Sequence, residues 1–512
     1  MGLLFFGALG VFWFFFLMNP WISFLNSDDA VPYQQAISEW RPQDLYYWGT
    51  SRFGMLYEVL FKTVLSAGGW REQAVGSSQI VELFYLFHVI FMCLGFAFWL
   101  PTLRTFTSKI VFLIFFFPLS HLLAWFFLTP GQLYGVLFTL NGLFFWCLQL
   151  LRESRKKHVF LGLLVGIIWI QHELAGAIAL GIYGFCHSRE FRKKKWLFFL
   201  STFLPLMILC YGFKGSSRQW TGVAEQYGIN SPSVFIQNLW LLIRDGSWWI
   251  GIRRGTGHVF TIGILTFLFL IWKNRREKPL FGDRAQIVFF ASMAGVTLIL
   301  FSQWYVINGH NPRYFTCVFP LLIWSLLQQF DQMPRAHKAR WILFLACVVP
   351  VCKTQGTSLW LNPFVRSQLH VSLPAQEPLF QESAATCNSN AVENAATAEQ
   401  KDSWSSGWKS EACLLFRKQK VSAMVEAIEK RGCAGYIDDY WNSHILAVYS
   451  SGRIMTSAGD NVRNPELMKK VLSTRPLCVM PREGFPFQNY TSNLNCEKMP
   501  EGFLRCNSRP LL

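Results

Sequence analysis

The chain has 512 residues, of which 52% are hydrophobic and only 15% charged, and its net charge is +17. Soluble domains carry about 25% charged residues, so this composition excludes a soluble globular enzyme, a disordered chain and a fibrous protein. The expected fold class is an α-helical polytopic membrane protein. Residues 1–352 hold 29 of the 47 Lys and Arg, among the apolar segments. The charge therefore reports membrane topology and does not indicate nucleic-acid binding.

Hydropathy predicts about eleven transmembrane helices, each close to or somewhat below the ~20 residues that a bilayer requires. They cover 3–21, 80–100, 110–128, 132–151, 159–171, 173–187, 196–213, 259–272, 286–305, 312–330 and 340–352. Residues 159–187 are short for two spans, and one long helix there would reverse the topology of everything downstream. Two helices are preferred, because one would place the basic runs RESRKKH and SREFRKKKW on opposite sides of the membrane.

The basic residues also orient the chain. With the N-terminus inside, 19 of the 29 Lys and Arg fall in the loops 101–109, 152–158, 188–195, 273–285 and 331–340. The opposite short loops contain none, which is the positive-inside pattern. The first span has no basic segment before it and a long apolar stretch, so we expect it to be a retained helix rather than a cleaved signal. Three large segments are then extracytoplasmic: 22–79, 214–258 and 353–512.

The first outer segment contains GMLYEVLFKTVL, which has helical apolar spacing with Glu58 and Lys62 four residues apart. This stretch is too short and too charged to span a bilayer. It is predicted to lie along the membrane surface, and a helix flanking a buried core is an equally good interpretation.

The C-terminal region, 353–512, changes character. Residues 374–412 are rich in Ala, Ser, Asn and Gln and predict a linker, and a small α/β domain is expected from about residue 413. VSAMVEAIEKRG predicts a helix ending at Gly432, AGYIDD and HILAVYSSGRIMTS predict strands or a hairpin, PELMKKVL a helix and RPLCVMP a strand. Six cysteines in this region predict disulfides: Cys387, Cys413, Cys433, Cys478, Cys496 and Cys506.

An acidic pair, Asp28 and Asp29 in SDDAVPY, follows the first span directly. Adjacent carboxylates repel each other, so one can acquire a raised pKa and act as a base, or both can hold a divalent cation such as magnesium or manganese. The structural alternative is that Asp28 caps a short helix beginning near Pro32.

Other polar residues converge on the same outer side. Arginines at separate positions suit a phosphate, which the planar guanidinium binds through two donors, although each arginine alone can also snorkel to lipid headgroups. The candidate phosphate ligands are Arg52, Arg253, Arg254 and Arg313. The candidate substrate ligands are Trp48, His172, Glu173, Asn308 and His310.

The layout resembles the GT-C superfamily of membrane glycosyltransferases, which includes the aminoarabinose transferases and protein O-mannosyltransferases. The resemblance rests on the acidic pair in SDDAVPYQQAIS, the short outer turns TPGQ and QHE, and the element HNPRYF before a late helix. In the C-terminal region, YIDDYWNSHILAVYSSGRI is similar to a segment of uncharacterised bacterial members. The acidic pair is Asp-Asp rather than the Asp-Glu of the protein O-mannosyltransferases, and no element like WWDYG of the oligosaccharyltransferases is present.

The resemblance implies an inverting glycosyltransferase of the bacterial inner membrane, or of the ER membrane in a eukaryote. It would move a sugar from a polyprenyl-phosphate donor to an envelope lipid, glycan or protein outside. Two rivals remain: a transporter or flippase of lipid-linked sugars, and a scaffold whose active part is the C-terminal region. Deletion of residues 374–512 is expected to separate the scaffold from the transferase.

Overall fold

The structure is a computed structural model in which part of the chain is described. The described residues are 27–38, 46, 54–70, 78–116, 133–187, 195–218, 228–249, 284–307, 312–331, 411–438, 440–459, 462, 464–481 and 488–508. The spans predicted at 3–21, 259–272 and 340–352 lie outside these residues, as does the predicted linker up to residue 410.

The first part of the chain is helical. Its helices are α1 (Ser27–Ile37), α2 (Leu56–Ala67), α3 (Ser78–Thr102), α4 (Phe106–Phe116), α5 (Leu133–Leu150), α6 (Arg155–Gln171), α7 (Glu173–Cys186), α8 (Lys195–Arg218), α9 (Pro232–Trp249), α10 (Arg284–Phe301), α11 (Gln303–Ile307) and α12 (Phe319–Asp331), with a 3₁₀ turn at Pro312–Phe315. Three are long and apolar enough to cross a membrane over Leu133–Leu150, Lys195–Gly212 and Arg284–Phe301. The total of about eleven spans remains a prediction.

Residues 155–186 form two helices, α6 and α7, which agrees with the division that the basic residues favoured. Helix α6 packs closely on α8, and Gly162 allows this approach. A Cβ atom at Gly162 would collide with the backbone of Phe199 on α8. Small residues let apolar helices approach at backbone distance, and this gains van der Waals contact where lipid supplies no hydrophobic drive.

Helix α2 flanks the helical core instead of lying free on a surface. Tyr57, Phe61 and Leu65 are buried with Phe84 of α3, whereas Leu60 on the opposite side is 36% exposed. The alternative interpretation of GMLYEVLFKTVL, a helix flanking a buried core, is thus the better description. Its polar pair is also buried, and burial raises the pKa of Glu58 to about 8.

The C-terminal region contains a five-stranded sheet. Its elements are α13 (Glu411–Lys430), β1 (Gly435–Asp438), α14 (Tyr440–Tyr449), β2 (Met455–Ala458), α15 (Pro465–Ser473), β3 (Leu477–Val479), α16 (Gln488–Thr491), β4 (Leu494–Lys498) and β5 (Leu504–Ser508). The strand order is β2-β1-β3-β5-β4. Strand β1 pairs in parallel with β2 and β3, and β5 pairs antiparallel with β3 and β4.

The prediction of a strand or hairpin over HILAVYSSGRIMTS was wrong in its first half. HILAVY belongs to α14, and only Met455–Ala458 forms a strand, which runs parallel to β1. The reason is that α14 packs against α1, α13 and β2, so residues 443–448 are all buried. A continuous apolar run lacks the period that would distinguish a buried helix from a buried strand.

Among the described residues there are two disulfides, Cys433–Cys478 and Cys496–Cys506. The first links the start of β1 to β3, and the second joins directly opposed residues of β4 and β5. The prediction of disulfides is confirmed for these four cysteines. The side chains of Cys387 and Cys413 lie outside the described residues.

Candidate functional site

The acidic pair lies in the first turn of a buried helix. Helix α1 begins at Ser27, so the alternative of a helix starting near Pro32 is wrong, and Asp28 and Asp29 belong to the helix itself. Negative charge in the first helical turn is favoured by the helix dipole. Every side chain of residues 30–36 is buried. A helix buried on all sides has a fixed position, which fixes the backbone of the acidic pair as well.

Tyr46 connects α1 to the helical core. The Gln35 amide nitrogen donates to the Tyr46 carbonyl at 2.8 Å, and the Tyr46 hydroxyl donates to the Cys210 carbonyl of α8 at 3.2 Å. Burial, followed by the nearby Cys210, Glu173 and Tyr211, raises the pKa of Tyr46, so its hydroxyl remains a donor.

A second connection leads from Tyr46 to the turn between α6 and α7. Tyr46 and Gly54 form an isolated antiparallel bridge, and the Gly54 N–H donates to the Gln171 carbonyl at 3.2 Å. The Gln171 side-chain oxygen accepts from the N–H of Leu56 at 3.2 Å. Helix α1 and the QHE turn therefore belong to one hydrogen-bonded layer, at the same end of the helical core.

His172 and Glu173 form that turn. His172 closes α6 and caps α7, where its Nδ1 accepts from the N–H of Ala175 at 3.3 Å. The ring keeps some accessible surface but is surrounded by protein, and this burial lowers the pKa of His172 to about 4. His172 is therefore neutral near pH 7 and acts as a helix cap, while Glu173 opens α7.

Glu173 lines a small, partly open pocket whose enclosed space is about that of one water molecule. The lining residues are Tyr46, Trp169, Ile170, Glu173, Met207, Cys210 and Tyr211. Trp169 Nε1 is buried without a hydrogen-bond partner among the described residues. Buried donors normally have partners, so the pocket offers a donor and a carboxylate to a small polar group.

The remaining predicted ligands are not brought to this pocket by the described residues. Arg313 lies in the 3₁₀ turn that precedes α12, and its side chain is not among those described. Trp48, Arg52, Arg253, Arg254, Asn308 and His310 lie outside the described residues. The phosphate site of these arginines therefore remains a prediction.

The second outer segment reaches the end of α10 and the start of α11. The N–H of Asn230 donates to the Phe301 carbonyl at 2.7 Å, and the N–H of Gln303 donates to the Gly228 carbonyl at 2.9 Å. Asn238 of α9 donates to the Leu300 carbonyl at 2.8 Å. The beginning of α9 is thus fixed to the end of α10, which the sequence did not indicate.

Sequence analysis missed Gln35, Tyr46, Gln171, Trp169 and Tyr211. Only their place in the chain could have drawn attention to them. Each lies in or within a few residues of a motif that was singled out, or at the outer end of a predicted span. Aromatic residues are common at both membrane interfaces, so position alone could not assign these residues to a pocket.

A possible metal-binding group lies at the other end of α6. Potential ligand atoms of Glu153, His158 and His187 lie within 4.8 Å of one another. The 17 residues of α6 separate it from Glu173 by about 25 Å at 1.5 Å per residue. Two imidazoles and one carboxylate suit zinc better than magnesium or manganese. This group therefore cannot supply a cation to the acidic pair.

The group is also engaged in internal contacts. Glu153 pairs with Lys157 at 3.2 Å and with Lys195 at 2.9 Å, and it bonds His158 Nε2 at 2.6 Å. Partial burial raises the pKa of Glu153, but the hydrogen bonds and positive charges of its partners prevail and lower the pKa to about 2. Two ammonium groups on the same carboxylate oppose the binding of another cation.

Two solved structures resemble this fold over nearly the whole length of the chain. They are crystal structures of ArnT from Cupriavidus metallidurans, one in the apo state and one bound to undecaprenyl phosphate. They are 12% and 11% identical to this chain, and each match covers 98% of this chain and 97% of ArnT with a TM-score of 0.50. No protein-family model and no curated protein matches the chain. The resemblance to the GT-C group, to which the aminoarabinose transferase ArnT belongs, is confirmed at the level of the fold.

Proposed function

We propose that the protein is a glycosyltransferase that moves a sugar from a polyprenyl-phosphate donor to an acceptor of the cell envelope. The observation that carries the proposal is the single layer that joins the acidic helix α1 to the Glu173 pocket, in a chain with the ArnT fold. A related fold binds undecaprenyl phosphate in ArnT. The carboxylates and the pocket are the chemical groups that transfer from such a lipid requires.

In the proposed reaction, the aspartates and the arginines have separate roles. Asp28 or Asp29 accepts the proton of the acceptor hydroxyl, whose oxygen forms a bond to the anomeric carbon of the sugar. The bond from that carbon to the lipid phosphate oxygen breaks on the opposite face, so the configuration inverts and the phosphate leaves with the electron pair. Arginines, with Arg313 the first candidate, stabilise the departing phosphate.

In this proposal the Glu173 pocket binds one edge of the sugar, because it is too small to enclose the ring. The carboxylate of Glu173 accepts from a sugar hydroxyl, and Trp169 Nε1 donates to one. The exposed ring of Tyr211 packs against the apolar face of the sugar. A divalent cation at the acidic pair, magnesium or manganese, remains part of the proposal because carboxylates are its preferred ligands.

The proposed location is the inner membrane, with the N-terminus inside and the C-terminal domain outside. The two disulfides support an oxidising compartment for that domain. The positive-inside count supports the same orientation.

The test is a comparison of the envelope glycans of a deletion strain with those of the same strain carrying the wild-type gene. We expect one sugar substituent to be missing from the deletion strain, restored by the gene, and a sugar-loaded polyprenyl phosphate to accumulate outside. Accumulation of that lipid on the inner side would indicate a flippase instead. Identical glycans with normal lipid pools would contradict the proposal.

A further inference from the structure

The C-terminal domain packs directly on the helix that carries the acidic pair. Ala30, Tyr33 and Ala36 of α1 share one hydrophobic core with Ile445 and Val448 of α14. Strand β2 is at the edge of the described sheet, and α1 lies beside it. An uncovered edge strand and an uncovered apolar helix face both invite association with other chains, and α1 covers part of both in this domain.

A second apolar contact lies closer to the acidic pair. Val31 of α1 is fully buried together with Ala458, the last residue of β2, and Leu467 of α15 packs against both. Val31 is two residues after Asp29, so this contact lies within the first two turns of α1.

Between these apolar contacts lies a buried polar bridge through Gln34. The Gln34 side-chain oxygen is 2.5 Å from His444 Nδ1, and its nitrogen donates to the Thr456 hydroxyl at 3.2 Å. The amide oxygen can only accept, so His444 donates from Nδ1. All three residues are at most 7% exposed. A buried donor or acceptor that loses its partner is costly, so the bridge permits one register of α1 against the domain.

The next residue fixes α1 on another side. Gln35 donates to the carbonyl of Tyr46, and Tyr46 lines the Glu173 pocket. Adjacent glutamines thus hold α1 between the C-terminal domain and the pocket. Gln34 is six residues after Asp28, or about 9 Å along the helix. It is therefore too far from the acidic pair to share its chemistry, but close enough to set its position.

We infer that Gln34, His444 and Thr456 are positioning residues, through which the C-terminal domain holds the acidic pair of α1 in register with the Glu173 pocket. The inference rests on the proposed function for its catalytic consequence and on the contacts of α1 for its structural part. A displacement of about 1 Å in a reacting group can lower a rate 100-fold. Loss of the bridge should therefore slow transfer while donor binding is retained.

This packing changes the meaning of one experiment. Deletion of residues 374–512 was expected to separate a scaffold from a transferase, because a transferase would keep its carboxylate site. The deletion also removes α14 and β2, and with them the support of α1. A transferase would lose activity as well, so point variants in the full chain are required.

The test compares Thr456→Val with Thr456→Ser, because the two residues have similar shape to threonine and only serine keeps the hydroxyl. Gln34→Leu removes both hydrogen bonds of the bridge. We expect Thr456→Val and Gln34→Leu to lower the initial rate of glycan modification in complemented cells about 10–100-fold, and Thr456→Ser to remain near the wild-type rate. Binding of undecaprenyl phosphate by the purified variants should stay within about twofold of wild type. Arg453→Ala, which removes an exposed ion pair with Glu429 on the same domain, is the control.

A cross-link distinguishes positioning from other effects. Val31→Cys with Ala458→Cys should form a disulfide between α1 and β2, and this bond should restore at least a third of the wild-type rate to Gln34→Leu. Hydrogen exchange of residues 30–37 should accelerate in Gln34→Leu and return to the wild-type rate on cross-linking. Wild-type rates in Gln34→Leu and Thr456→Val, or no rescue by the formed cross-link, would overturn the inference. An inactive wild type would instead overturn the proposed function, and hydrogen exchange alone would then decide whether the domain holds α1.

Discussion

The two ends of helix α6 show opposite uses of ionisable groups. At its start, the Glu153 carboxylate bonds to Lys157, His158 and Lys195, and these groups form a compact ion network. At its end, Glu173 faces a pocket with aromatic walls, and Trp169 Nε1 has no partner among the described residues. A satisfied network stabilises a fold, whereas a buried donor without a partner is available to a ligand.

This contrast shows why a cluster of metal-binding residue types is a weak indicator of chemistry. Glu153, His158 and His187 meet the distance requirement for a metal site, yet two lysines already neutralise the carboxylate. The residues proposed for catalysis lie at the end that the acidic helix α1 and the C-terminal domain cover.

The largest effect is expected from the acidic pair. Asp28→Asn and Asp29→Asn preserve shape, but asparagine cannot accept the proton of the acceptor. At least one of them should lower the transfer rate about 10²–10⁴-fold, measured as glycan modification at matched membrane abundance. Glu72→Gln, in the same outer segment, is the matched control and should transfer normally. Wild-type rates in both Asn variants would remove the acidic pair from the mechanism.

Arg313 is expected to affect donor binding. Arg313→Ala should weaken binding of undecaprenyl phosphate about 10–150-fold, since a hydrogen bond to a charged group contributes about 1.5–3 kcal/mol. Arg313→Lys should restore little of this affinity, because lysine lacks the planar pair of donors. The Arg253→Ala/Arg254→Ala variant should be weakened similarly. Unchanged affinity in all of these variants, by native mass spectrometry, would assign the arginines to lipid headgroups.

The pocket predicts a smaller effect for Trp169. Trp169→Phe keeps an aromatic ring but loses the Nε1 donor, so transfer should fall about 2–10-fold, the range of one neutral hydrogen bond. Trp196→Phe, at the opposite end of the helices, should transfer like wild type. An equal effect of the two substitutions would show that loss of an indole lowers activity through packing rather than through a ligand.

The ion network at the start of α6 should affect stability and hardly affect transfer. Glu153→Gln is expected to leave transfer within about twofold of wild type and to lower the melting temperature slightly, because ion pairs of a half-exposed carboxylate contribute about 0–1 kcal/mol. The pKa of Glu153 is lowered, so its contribution is present above about pH 4.5 and is lost as the pH falls towards 2. A large loss of transfer in Glu153→Gln would contradict the contrast between the two ends.

The smallest effect concerns His172. Its pKa of about 4 lies below the ordinary value of 6.5, so the unfolded chain takes up the proton first and stability decreases as the pH falls through that interval. His172→Asn keeps a capping acceptor. Its melting temperature should fall less between pH 7 and pH 5 than that of the wild type. An equal loss in both proteins would show that His172 is not the acid-sensitive group.

Local sequence patterns determined much of the fold. The apolar runs at 132–151 and 196–213 and the basic loops beside them are properties of neighbouring residues, so they predicted α5, α8 and the division between α6 and α7. PELMKKVL was likewise predicted as a helix, and it forms α15, which Asn464 caps in the structure. The acidic pair and the QHE turn were found because short polar motifs stand out between apolar spans.

Tertiary packing decided the rest. HILAVY is a helix because α1, more than 400 residues earlier, packs on it together with α13, and its continuous burial removes the period that identifies a helix. The bridge from Gln34 to His444 and Thr456 has no local signature, since a glutamine in a short helix is equally suited to solvent. Apolar runs and basic loops depend on neighbouring residues, so they could be identified without the fold. The packing of the C-terminal domain on α1 is visible only in the folded chain, because contacts between distant residues depend on the assembled core and leave no periodicity in the sequence.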